Sequence, residues 1–227
     1  MILAVSLLGL KAFADGHEKP FSVFIGFSTD NPSAMVGAWD TFMASKCGQS
    51  LPGQVSIMNE FFNGDHPSTH TIILSYPNQQ AWAQGMVNNR CLEWSQLMRS
   101  VSTLGEPEWQ NLGMSVLAGG DLSKDGAYTI YQMNVSDEAK YSSAFEDLMK
   151  GLIKSGQKIT SYGLVRTVGG AQIDVGTHFA YVGAANGLDQ LDNAANTDEK
   201  VLQRFRSKVT GIRTVNRTNI NYVAKRY

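Results

Sequence analysis

Glu60, Arg166 and Arg217 are the charged residues of this 227-residue chain whose chemistry depends most on where the fold puts them. Each interrupts a run of alternating apolar residues, so each belongs to a strand with one face turned toward a core. A buried charge without a partner is costly, so these groups must either pair with one another or meet a ligand. Glu60 is the candidate titrating group for proton transfer, and no second residue is assigned a catalytic role. Side chains of the same parity on neighbouring strands are Trp109, Asn111, Asn219, Gln132, Asn134, Phe179 and Tyr181. Together they predict a mixed lining in which Arg166 and Arg217 supply charge while Trp109, Phe179 and Tyr181 supply walls. Such a lining suits a small polar or anionic ligand, or else a network that satisfies itself.

The histidines offer less. His70 and His178 each open a strand whose following apolar residues, Ile72 and Leu74 or Ala180 and Val182, set them on the opposite face from that lining. His66 and His70 have the spacing of a helical metal pair, but along a strand four residues span about 13 Å, too far for joint chelation. If the chain is cut after Ala14, Asp15-Gly16-His17 becomes a free terminus in which His17 can complete a square-planar Cu(II) or Ni(II) site. Cys47 and Cys91 can form one bridge or remain two buried thiols, and both readings stand. Hydrolytic, nucleotide-binding and CxxC signatures do not occur.

Residues 1–14, MILAVSLLGLKAFA, read as an apolar secretory signal ending in a small-residue cleavage pattern, so the mature chain is expected to be periplasmic or secreted. No other segment approaches the ~20 apolar residues of a spanning helix, so no stable membrane span is expected. The formal charge of −1, from 19 Lys and Arg against 20 Asp and Glu, argues against a nucleic-acid partner. The basic run from Lys200 to Tyr227 reads as a solvated face or an anion-binding one.

The elements that position the candidate residues come in two copies. Lys46-Cys47-Gly48-Gln49 recurs as Lys154-Ser155-Gly156-Gln157, and Thr69-His70 recurs as Thr177-His178. In each copy the hydrophobic pattern predicts strand, helix, strand, strand, helix, strand. In the first copy the strands lie near Phe21–Ser28, Gln54–Phe62, Thr69–Tyr76 and Trp109–Leu117, with helices over Ser33–Lys46 and Gln79–Arg99. The first unit covers 21–117, a Gly-rich linker 118–126 and the second unit 127–227.

That order is the ferredoxin-like βαββαβ arrangement, an α+β fold with both helices on one sheet face. Two such units packed sheet to sheet resemble the dimeric α/β-barrel superfamily in its fused, pseudo-dimeric form. The resemblance covers about Phe21 to Tyr227 and rests on element order and repeat. It implies small oxygenase or haem-dependent chemistry, or no known chemistry, so the fold leaves open these and the two readings of the lining itself, ligand binding between the sheets or a structural role with a closed interior. His178 as an axial haem ligand follows only from the haem members of that superfamily. The residues themselves call for no cofactor, and whether the chain is an enzyme stays open.

Overall fold

The computed structural model describes residues 19–88, 90–170 and 176–227. Residues 1–14, expected to be a secretory signal, and His17 lie outside the described residues. The first unit contains β1 (Phe21–Ser28), α1 (Pro32–Ala44), α2 (Lys46–Gln49), β2 (Gln54–Phe61), β3 (His70–Tyr76), α3 (Gln79–Asn88), α4 (Leu92–Leu104) and β4 (Glu106–Gly120). The second contains β5 (Ala127–Val135), α5 (Glu138–Lys154), β6 (Ser161–Gly169), β7 (His178–Ala184), α6 (Gly187–Ala195), α7 (Glu199–Val209) and β8 (Arg213–Arg226).

Local chemistry explains the helix starts. Asn31 accepts from the Ala34 amide at 3.1 Å and Pro32 opens α1, while Asp137 accepts from Lys140 at 3.0 Å to open α5. The single helix expected over Gln79–Arg99 is two. Cys91 has extended backbone, with φ −73° and ψ 162°, and its sulfur accepts from the Trp94 amide at 3.2 Å, so it ends one helical path and caps the next. Cys91 is also bridged to Cys47, which ties α4 to α2. The segment expected as a linker begins later than 118, because Ala118–Gly120 complete β4 against Ser161–Gly163 of β6.

All eight strands close into one antiparallel barrel in the order β1-β3-β2-β8-β5-β7-β6-β4. The two sheets join edge to edge through β2–β8 and β4–β6. Matching bulges mark the repeat. Glu108 is the extra residue of β4 beside the Gly26–Trp109 pair, and Asn216 is the extra residue of β8 beside the Gln132–Arg217 pair. A bulge adds local twist and re-aims the next side chain, so Trp109 and Arg217 enter the barrel from equivalent positions on opposite walls.

Helices cover the outside. Met35, Trp39 and Phe42 of α1 pack on Val55, Ile57 and Ile72 in the first unit, and Tyr141, Phe145 and Leu148 of α5 pack on Met133, Leu164 and Ala180 in the second. An eight-stranded barrel is just wide enough for side chains to fill. Phe24, Trp109, Ile130, Val165, Phe179 and Tyr181 form an apolar cluster inside it.

Candidate functional site

The barrel interior is divided by chemistry. Phe179 stacks on Phe24 at 5.2 Å and on Trp109 at 6.3 Å, making an aromatic wall over β1, β4 and β7. Gly26 is required there, since a Cβ at that position would collide with the Trp109 indole. Tyr181 lies edge-on to Tyr128 at 6.0 Å, and burial pushes its phenol far above the usual tyrosine range.

Across the barrel, Glu60 carries a fully enclosed carboxylate. It accepts from Ser68 at 2.8 Å, from the Thr71 hydroxyl, and from Arg217 in an ion pair whose arginine side chain is 10% exposed. Asn63 adds a longer contact at 3.4 Å. Asn219 and Asn111 project inward from β8 and β4, strands on opposite walls of the barrel. Asn219 donates to Asn221 at 2.6 Å. The Asn111 amide, with its nitrogen toward the carbonyls, donates to Gly170 and to Gln110. Gln132 is buried beside Arg217. Asn134 stands at the exposed rim, 3.5 Å from Asn216, and contributes nothing to the interior.

Arg166 is not in the lining. It points outward, 3.4 Å from Glu138 at the start of α5 and 43% exposed. The reason is register. His70 and His178 are equivalent with an offset of 108, but their strand partners Asn59 and Arg166 differ by 107. An odd slip inverts every side chain of a strand, so Gly163, Val165 and Thr167 face inward while Leu164 and Arg166 face out. The equivalent of Glu60 is therefore Thr167.

His70 and His178 lie on the helix-covered side. His178 meets Thr177 through Nδ1 at 2.8 Å and Glu138 through Nε2 at 3.1 Å, and burial lowers its pKa against the raising effect of Glu138. His70 meets Thr69 through Nδ1 at 2.7 Å and is also lowered by burial, with Glu60 opposing.

Two open cavities among the described residues lie outside the barrel. One, of about 460 Å³, is a polar surface recess where β1 meets the end of α4. The other, of about 430 Å³, opens between the first sheet and helices α3 and α4. Its floor is Val23, Ile25, Leu74 and Leu112, its roof Trp82, Met86 and Trp94, and its far edge Gln110, Asn111, Gly169 and Gly170. This volume is in the range of small-molecule sites. The Trp82 indole N–H is buried without a hydrogen-bond partner among the described residues.

Sequence reasoning missed this cleft, because it gave Trp82, Met86 and Trp94 no role beyond their place in the helix expected over Gln79–Arg99. The available signal was a break in the repeat. Asn78 and Asn186 cap α3 and α6 equivalently, through Ala81 and Asp189, which places Trp82 opposite Gln190. Gln190 instead is buried and hydrogen-bonds to Thr129 and Val182 of the second sheet.

No family model matches the chain, and no curated protein matches it. Solved structures do. A candidate monooxygenase from Fusobacterium nucleatum subsp. nucleatum superposes with a TM-score of 0.58 at 9% identity, covering 92% of this chain and 94% of that one. An anthrone oxidase-like protein gives 0.57 at 10%, covering 93% of each. A variant of the chlorite dismutase from Candidatus Nitrospira defluvii gives 0.56 at 7%, covering 92% of this chain and 93% of its own.

Haem, expected at His178 only from the superfamily resemblance, does not fit the residues around that histidine. Both of its ring nitrogens are engaged, and the space between α5, α7 and the sheet is filled by Tyr141, Phe145, Met149, Leu164 and Phe205. None of the helices among the described residues is long and apolar enough to cross a membrane. Eight strands closed from two βαββαβ halves, with structural neighbours of the same build, give this chain the dimeric α/β-barrel fold in its fused, two-unit form.

Proposed function

We propose that the protein binds an apolar, ring-containing small molecule in the cleft of its first unit. The observation that carries this reading is the cleft itself: two tryptophans and a methionine face aliphatic strand residues across about 430 Å³. Aromatic roofs of this kind give large contact area at low entropic cost, and Met adapts to irregular shapes. Among the described lining residues none is ionisable, so the walls select for shape and apolarity.

The expectation of an anionic ligand between the sheets is weakened by two features. Arg166 faces outward, and Arg217 is already neutralised by Glu60. Export is part of the same proposal, and the Cys47–Cys91 bridge accords with an oxidising compartment. A second reading, oxidation of an aromatic substrate held in the same cleft, is favoured by the candidate monooxygenase and anthrone oxidase-like neighbours, which share the fold.

Titration with the neutral probe N-phenyl-1-naphthylamine tests the binding reading. A Cβ at Gly169 would meet only Leu112 at 3.7 Å, so Gly169→Trp extends a ring into the cleft without a backbone clash. The wild-type protein is expected to give a saturable fluorescence rise, and Gly169→Trp to weaken it by roughly tenfold or more, about 1.4 kcal/mol. Equal binding by both proteins would remove the cleft as the site. Oxygen uptake with a hydroxylated aromatic would then separate the second reading from the first.

A further inference from the structure

Six of the ten buried side-chain atoms without a hydrogen-bond partner among the described residues lie inside the barrel. They are Trp109 Nε1, Gln132 Oε1, Thr167 Oγ1, Asn219 Oδ1, and Nε and Nη1 of Arg217. Their placement follows from the register. Gln132 and Arg217 are cross-strand partners, Gln132 also faces Phe179, and Phe179 stacks on Trp109. Gln132, Arg217, Phe179 and Trp109 therefore share one end of the barrel, and Asn219 follows Arg217 by two residues on the same face of β8. Gln132 and Asn219 are each 2% exposed and Trp109 4%, so bulk solvent does not reach them freely. A buried polar group left unmatched is costly, and native interiors match such groups with water or ligand.

We infer that this end of the barrel is a second binding site, for a small uncharged molecule that presents a carbonyl-type acceptor and N–H donors in one group. Arg217 and Trp109 offer N–H groups, which call for an acceptor; Gln132 and Asn219 offer carbonyl oxygens, which call for donors. The Asn219 orientation is fixed by its own donation to Asn221, so its oxygen is the free atom. A primary amide meets both demands at once.

Charge argues against an anion here. Glu60 is fully enclosed behind Arg217 and already holds the one interior cation of this end among the described residues, so a carboxylate guest would add a second negative charge with no second positive one among them. Arg217, at 10% exposure against 0% for Glu60, lies nearer the rim and marks the side of entry.

Acetamide and acetate are matched probes, nearly equal in size and different in charge. The four tryptophan indole N–H signals of the protein, assigned by single Trp→Phe substitutions, report on them in separate places. Acetamide is expected to shift the Trp109 signal saturably and to leave Trp39, Trp82 and Trp94 in place, while acetate leaves all four unmoved. Gln132→Leu removes one acceptor at nearly constant volume and is expected to weaken the acetamide effect by roughly tenfold. The three other indole signals, unchanged, show that this variant is folded; if they move, Asn219→Leu serves in its place. A Trp109 shift with acetate makes the site anionic and overturns the proposal. So does the absence of any shift with acetamide, or an acetamide effect that survives removal of Gln132 and Asn219 in turn.

Discussion

Arg217 of β8 pairs with the enclosed carboxylate of Glu60 on β2, across one of the two strand pairings that join the repeats. Because the arginine comes from one unit and the carboxylate from the other, the pair couples the halves more specifically than apolar packing does. Glu60→Leu leaves Arg217 buried without its partner and is expected to cost about 3–5 kcal/mol. The double variant Glu60→Leu with Arg217→Met removes both charges and is expected to recover most of that loss. Urea unfolding of the three proteins measures it. A double variant no more stable than the single one would assign the cost to packing instead.

Arg166 gives the opposite expectation. Its contact with Glu138 is partly exposed on both sides, and pairs of that kind contribute about 0–1 kcal/mol. Arg166→Ala should therefore unfold within about 1 kcal/mol of wild type and leave probe binding in the cleft unchanged. A loss as large as that of Glu60→Leu would place Arg166 in the interior after all.

The Cys47–Cys91 bridge closes a sequence separation of 44 residues and holds the start of α4, from which Trp94 enters the cleft. Loop-closure entropy for a separation of this size corresponds to roughly 3–4 kcal/mol. Replacing both cysteines by serine is expected to destabilise the protein by about that amount and to weaken probe binding, because the roof of the cleft loses its tether. Retained affinity alongside lowered stability would show that Trp94 is positioned by packing alone.

Acid should destabilise the fold through His70 and His178. Burial holds both below the ordinary histidine value of 6.5, so the unfolded chain takes up protons first. Their contribution is present above that value and lost as pH falls from it through the folded-state pKa values. Unfolding free energy measured between about pH 7.5 and pH 5 is expected to decline, and His178→Gln to decline less steeply. A variant with the wild-type slope would trace the acid sensitivity to other groups.

The order of elements and the pairing of two ferredoxin-like halves were legible in the sequence, because alternation and the shared Thr-His and Gly-Gln landmarks survive in both copies. The inward positions of Trp109, Phe179 and Glu60 followed from the same parity. Arg166 did not, since its strand is displaced by one residue relative to its equivalent, and a one-residue slip is invisible to hydrophobicity yet reverses both faces. The cleft was hidden for a different reason. A cavity is space that side chains leave unfilled, and only the contrast of Trp82 with the hydrogen-bonded Gln190 hinted that the two helix layers pack differently. The break at Cys91 was equally unreadable, since cysteine is not a usual capping residue and its role depends on Cys47 lying within reach.

Crystallisation with N-phenyl-1-naphthylamine puts the central claim to its most direct test. The naphthyl rings are expected between Trp82 and Leu112 on the outer face of the first sheet, with the barrel interior and the second helix layer free of probe. Probe bound between α5 and β7, or inside the barrel against Phe179, would contradict a single apolar cleft made by the first unit alone.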